Sequence, residues 1–147
     1  MWVYNGPAME IPLKRREALE SLAEEFGVAM ILAFGSVVRG AEHAASDLDL
    51  ALRFRTAQPD LDAYLRLTEA LRNVFGGREI DWVVLERADP LLLKKIAEDC
   101  ALLVGSTRDF HEFRMHAFKR YQDHKRFLAM ERRFLDRFLT EGSLHDR

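Results

Sequence analysis

The chain has 147 residues, 48% of them hydrophobic and 31% charged, with a net charge of −2. That length suits one domain around a single core, and that balance is ordinary for a soluble globular protein. It excludes a molecule built for nonspecific nucleic-acid binding, and the single cysteine, Cys100, excludes an internal disulfide and fits a reducing cytoplasm.

The N-terminus, MWVYNGPAMEIP, has neither a basic region nor an apolar one, so no signal peptide is expected. Residues 1–8 read as a dispensable lead, with Met9 as an alternative start, and residues 1–12 precede the first periodic segment. Lys14 to Phe26 reads as a helix, because Leu13, Ala18, Leu19, Leu22 and Phe26 recur at helical spacing and Gly27 stops it. Val28 to Phe34 is a buried strand, bounded by glycines and far too short to cross a bilayer. Ser36 to Ala41 follows as a helical turn. Asp47 to Phe54 alternates and reads as a second strand.

Pro59 to Phe75 is amphipathic through Leu61, Tyr64, Leu65, Leu67, Leu71 and Phe75, and Gly76-Gly77 end it. Glu79 to Leu85 is a third strand, and Pro90 to Glu98 a short helix with proline at its start. Ala101 to Val104 is a marginal fourth strand. Arg108 to Thr140 forms one long helix, or two with a break near Gln122-Asp123. Residues 106–147 therefore read as a helical extension packed on a core formed by residues 1–105, as one domain. From Arg108 onward there are ten Lys/Arg and seven Asp/Glu, against twelve and seventeen before it, so a mildly acidic body carries a mildly basic tail.

Interleaved strands and helices give an α/β (α+β) class with a small mixed sheet flanked by helices. The short link between strands one and two predicts an antiparallel pair, and the helix between strands two and three predicts a parallel one. That topology brings Gly35-Ser36, Asp47, Asp49 and Asp81 together at one end of the sheet. Asp47 and Asp49, at i and i+2, share a face. Carboxylates held this close repel unless a cation or proton lies between them, and hard oxygen ligands suit Mg²⁺. A third carboxylate completes a two-metal site for displacement at phosphorus. Gly35 allows close approach of a phosphate, and Ser36 offers a hydroxyl. A phosphate binder beside a metal binder points to a nucleoside triphosphate with its Mg²⁺.

The string GSVVRGAEHAASDLDL, with Gly35-Ser36, ten residues, then Asp47-Leu48-Asp49, resembles the DNA polymerase beta-like nucleotidyltransferase superfamily, and most of all its minimal nucleotidyltransferases (MNT). The resemblance spans about residues 13–105. It implies a nucleotidyltransferase fold in which Gly35 and Ser36 hold the triphosphate. By the same resemblance Asp47 and Asp49 ligate the metals and contact the nucleotide. Asp81, a third metal ligand, helps activate the acceptor hydroxyl, and Arg39 and Glu42 fit the motif.

Chains of this type resemble the antitoxins of HEPN/MNT toxin–antitoxin pairs. The resemblance implies transfer of AMP from ATP, with two Mg²⁺ ions, to a tyrosine of a HEPN RNase toxin in the cytoplasm. No membrane association or direct nucleic-acid contact is expected. A nucleotidyltransferase acting on a small-molecule hydroxyl of the aminoglycoside type and an antitoxin that acts by occlusion alone are the alternatives.

Along the last predicted helix, Phe110, Phe113, Ala117, Tyr121, Leu128, Leu135 and Phe138 form a stripe that Phe118, Phe127, Met130 and Phe134 thicken. Its first half is expected to cap the core and its far end to dock a partner. Lys119, Arg120, Lys125, Arg126, Arg132, Arg133 and Arg137 read as a solvated face. His43, His111, His116, His124 and His145 have no zinc-site spacing, and Cys100 is expected in the core.

Overall fold

A computed structural model describes residues 11–38 and 47–142. The expected lead at residues 1–8, Arg39, Glu42, His43 and His145 lie outside the described residues. Helix α1 (Leu13–Phe26) ends at Gly27, whose φ of 67° is the left-handed conformation that closes a helix at little cost in glycine. Strand β1 (Val28–Phe34) has the predicted bounds. A single 3-10 turn at Gly35–Val37 stands where the longer helical turn is expected to begin.

Strand β2 (Leu48–Phe54) is followed by α2 (Leu61–Val74), capped by the Asp60 carboxylate, which accepts from the Ala63 N–H at 2.8 Å. Strand β3 (Ile80–Val84) leads to α3 (Pro90–Glu98), where the Asp89 carboxylate accepts from the Leu92 N–H at 2.9 Å. Strand β4 (Cys100–Val104) precedes α4 (Thr107–Gly142), which runs unbroken through Gln122 and Asp123.

The four strands lie in the order β3-β2-β1-β4. Strands β1 and β2 are antiparallel, β2 and β3 parallel, as their connections require. Strand β4 pairs antiparallel with β1 on its other side. The sheet is the middle of three layers. On one face Ile31, Ala33, Leu48, Leu50, Leu52, Ile80 and Trp82 pack with Leu19 and Leu22 of α1 and Leu67 and Leu71 of α2. On the other face Met30, Leu32, Phe34, Ala51 and Cys100 pack with Leu93, Ile96 and Ala97 of α3 and with Phe113 and Ala117 of α4.

Periodicity overreaches in three places. Leu13, Leu61 and Leu65 are all exposed. Leu13 is the first residue of its helix, and Leu65 stands roughly 160° around α2 from Leu67, on the solvent side. Leu61 opens the first turn of α2, off the stripe that Leu67 and Leu71 define. Tyr64 instead stacks on Trp82 at 4.4 Å between ring centroids, and the Trp82 indole N–H donates to the Thr68 hydroxyl at 2.9 Å. Helix α4, of 36 residues and about 54 Å, outreaches the layer it covers. Phe113 and Ala117 are buried, whereas Phe127, Leu128, Met130, Phe134, Leu135, Phe138 and Leu139 are exposed.

Candidate active site

Strand β1 ends at Phe34, which lies opposite Asp49 in β2. Asp49 in turn lies opposite Asp81 in the parallel strand β3. Asp47 stands two residues before Asp49, at the entry to β2. The sheet thus brings Gly35, Asp47, Asp49 and Asp81 to one end, as the connection lengths predict. Alternation fixes the direction of the carboxylates. Leu48 and Leu50 enter the α1/α2 layer, so Asp49 shares the opposite face with Ala51, and Asp81 shares it with Val83. The acids therefore lie on the α3/α4 side, beyond the end of the packed core.

Gly35 is buried and has a φ of 81°, a conformation that strains any other residue. A Cβ at this position would lie 2.7 Å from Asp49 Oδ2. The glycine is thus required twice, for its backbone conformation and for the space in which the Asp49 carboxylate sits. Ser36 follows in the 3-10 turn, half-buried.

The electrostatics single out Asp49. Burial, then the Asp81 carboxylate, pushes its carboxyl above the ordinary value of 3.8. Lys95 opposes this and Asp47 adds to it. Asp49 thus feels both other acids. Of the three, Asp49 alone is half-buried. Asp47 and Asp81 are exposed, because they stand at the mouth of the sheet and β3 is a sheet-edge strand.

Among the described residues no three acidic, histidine or cysteine side chains close around a cation by themselves. This donor set fits Mg²⁺, which keeps several waters and takes one or two carboxylates plus substrate phosphates, rather than a metal needing an all-protein cage.

The polymerase beta nucleotidyltransferase family matches residues 17–109, a span that contains the turn, the three aspartates and all four strands. The chain belongs to that family. Among solved structures, a chain of a toxin–antitoxin crystal structure with AMP-PNP superposes on this nucleotidyltransferase with a TM-score of 0.65 at 22% identity, covering 84% of this chain and 98% of that one. A chain from a complex of tri-AMPylated Shewanella oneidensis HEPN toxin with MNT antitoxin gives 0.60 at 20% identity, covering 86% and 97%. A minimal nucleotidyltransferase gives 0.51 at 33% identity, covering 59% and 87%. No curated protein sequence matches. These likenesses establish the mixed α/β nucleotidyltransferase fold with its long C-terminal helix.

Lys95, whose positive charge acts on Asp49, is a residue that sequence reading missed. It lies in α3, fourteen residues after Asp81, and no motif marks it. Only the seating of α3 on the sheet brings its charge to Asp49. Cys100 is core as expected, and burial pushes its thiol up to about 12, away from the reactive thiolate form. No helix among the described residues is long and apolar enough to cross a membrane.

Proposed function

We propose that this nucleotidyltransferase is the antitoxin of a HEPN/MNT pair and transfers AMP from MgATP to a tyrosine hydroxyl of its cognate HEPN RNase toxin, neutralising it. The observation that carries the chemistry is the register of Phe34, Asp49 and Asp81, with Gly35 making room for the Asp49 carboxylate. Three acids against a turn that admits a phosphate suit a metal–triphosphate complex and little else. The nature of the acceptor is supported by the neighbours solved as toxin–antitoxin complexes, one of them holding an AMPylated toxin. It is also supported by the exposed apolar far half of α4, a surface suited to another protein.

Asp47 and Asp49 would hold Mg²⁺ together with the triphosphate, with Asp81 as the third carboxylate ligand. Bound there, the metal would neutralise phosphate charge and lower the pKa of the attacking hydroxyl. Gly35 and Ser36 hold the phosphates against the end of β1, so that the α-phosphorus faces the acceptor. The tyrosine oxygen bonds to the α-phosphorus while the bond from that phosphorus to the oxygen bridging it to the β-phosphorus breaks. Pyrophosphate leaves with the bonding electrons. The hydroxyl proton goes to a carboxylate oxygen of Asp81, which is exposed and so open to an incoming side chain. The product tyrosine carries added bulk and negative charge where a toxin would need to meet RNA phosphates.

The test is incubation of this chain and a HEPN partner with MgATP, followed by intact mass and RNase assay of the partner. An adenylyl adduct on a partner tyrosine with lost RNase activity is the expected result. Inhibition without an adduct, retained by Asp47→Asn, would replace the enzyme by simple occlusion. An adduct formed only on a small-molecule hydroxyl would overturn the protein acceptor.

A further inference from the structure

Helix α4 starts at the end of the sheet away from the acids. A Cβ on Gly105, two residues before the helix, would lie 3.2 Å from the Ala29 carbonyl oxygen, at the beginning of β1. The acids stand at the other end of that strand, beyond Phe34. From its start α4 runs back toward them. Arg114 donates to the carbonyl of Ala97 at 3.2 Å, in the last turn of α3, and Cys100 just after that helix is the register partner of Phe34. Two turns further on, the Tyr121 ring centroid lies 5.0 Å from the Lys94 ammonium, which pairs with Glu98, the last residue of α3. Helix α4 contains neither proline nor glycine before Gly142, so nothing kinks it. It therefore passes the site end of the sheet and continues. Every residue from 125 to 141 is exposed, a projection of about 25 Å.

The projection also keeps the helix face that packs the core. Leu135 stands eighteen residues, or about five helical turns, after the buried Ala117, and Leu128 stands eleven residues, or about three turns, after it. Phe138 follows the buried Phe113 by about seven turns. The stripe that Phe113 and Ala117 press onto the sheet thus runs on past the sheet's end, where Leu128, Leu135 and Phe138 are exposed. There it faces the space in front of the strand ends. Asp49 and Asp81 project on this same α3/α4 side, so whatever covers the stripe lies before the acids.

We propose that the projecting half of α4 is the acceptor-docking arm of this enzyme: it seats an apolar helical face of the protein that receives AMP and holds that protein over the carboxylates. The inference rests on the transfer reading above and adds to it where the acceptor binds and what that binding does. An apolar stripe at helical spacing is matched best by another helix, packed along it. A second copy of this chain seated there would close the mouth of the site to any acceptor, so the occupant the site can use is the acceptor itself. The arm touches no reacting atom. It contributes equally to the ground state and the transition state, and therefore acts on KM for the acceptor rather than on kcat.

The test is steady-state AMP transfer by the full chain to its HEPN partner, measured against partner concentration, for the wild type and Leu135→Glu/Phe138→Glu. Both residues are exposed and glutamate is a good helix former, so the fold is kept. The double variant should raise the KM for the partner about tenfold or more and leave kcat at saturation within about twofold. Calorimetric affinity for AMP-PNP with Mg²⁺ should also stay within about twofold. Leu128→Glu, nearer the body, should reproduce the KM effect, whereas Arg133→Gln, roughly 200° around the helix from Leu135, should change nothing. An unchanged KM, a loss confined to kcat, or weakened AMP-PNP binding would overturn the docking arm with the transfer reading intact. So would a wild-type dimer that the double variant splits without moving the KM. A wild type that binds AMP-PNP yet modifies no partner would overturn both.

Discussion

The two faces of β2 are built for different purposes. Leu48, Leu50 and Leu52 point into the α1/α2 layer and are wholly buried among aliphatic side chains. Asp49, Ala51 and Arg53 point the other way, toward α3 and α4, and at the end of the strand that face opens to solvent. One face lowers the free energy of the fold. The other carries a carboxylate whose ionised form is disfavoured by its own surroundings. A single strand of seven residues thus separates stability from chemistry by side-chain alternation alone, and substitutions on the two faces should have opposite signatures.

Asp49→Asn should produce the largest effect on function. The side chain keeps its shape and loses its charge, so AMP transfer should fall by orders of magnitude, measured as adduct formed per minute. The folded protein should be as stable as the wild type or more so in denaturant. A variant with wild-type turnover would end the metal-site assignment.

Leu50→Ala should invert that signature. Removing a fully buried side chain from the opposite face costs about 2–5 kcal/mol of stability, read from urea unfolding. At a temperature where the variant remains folded, its rate per folded molecule should be close to wild type. Comparable loss of stability and rate would mean that the two faces are not separable.

Gly35→Ala falls between the two. The new Cβ meets the Asp49 carboxylate end, which can rotate away, while the φ of 81° adds backbone strain of about 1–2 kcal/mol. Transfer should collapse with only this moderate destabilisation. Retained transfer would show that Asp49 need not sit where the glycine leaves room for it.

A subtler consequence concerns pH. Asp49 has a folded pKa above its unfolded value, so the folded state holds this proton more readily. The stability associated with that proton is fully present below the ordinary carboxyl value near 3.8 and is lost as pH rises through the folded pKa. In metal-free protein the stability advantage of Asp49→Asn over the wild type should therefore be present at pH 7. It should shrink to nothing as pH falls through that window. An advantage independent of pH would assign the effect to packing instead.

The smallest expected effect on the fold lies at the far end of α4. Phe134→Ala removes an exposed side chain and should change stability by less than about 0.5 kcal/mol, whereas Phe113→Ala, with the same chemistry in the buried half, should cost about 3–5 kcal/mol. Pull-down of a HEPN partner should be weakened by Phe134→Ala. Unchanged capture would place the partner surface elsewhere.

Much of this arrangement is legible before any coordinates. Val28–Phe34 and Pro90–Glu98 announce themselves by an apolar run between glycines and by a proline behind a capping aspartate. The gathering of Gly35, Asp47, Asp49 and Asp81 follows from the lengths of two connections. What the chain does not disclose is decided between elements. Strand β4 is marginal by itself and finds its place only against β1. Leu61 and Leu65 have the right residue type but miss the stripe that α2 buries. That the Lys95 charge acts on Asp49 depends on the docking of α3, since a lysine before an isoleucine in a short helix carries no signal of its own. The exposure of Asp47 and Asp81 likewise depends on where the sheet stops.

The central claim is that the carboxylate face exists to hold a metal–nucleotide complex. Thermal unfolding of wild type and Asp49→Asn, each with AMP-PNP in Mg²⁺ or in EDTA, tests it most directly. The account predicts that AMP-PNP raises the wild-type unfolding temperature in Mg²⁺ and not in EDTA, and that Asp49→Asn gains nothing in either while matching or exceeding the wild type without ligand. Equal stabilisation in EDTA, or full stabilisation of Asp49→Asn, would contradict it.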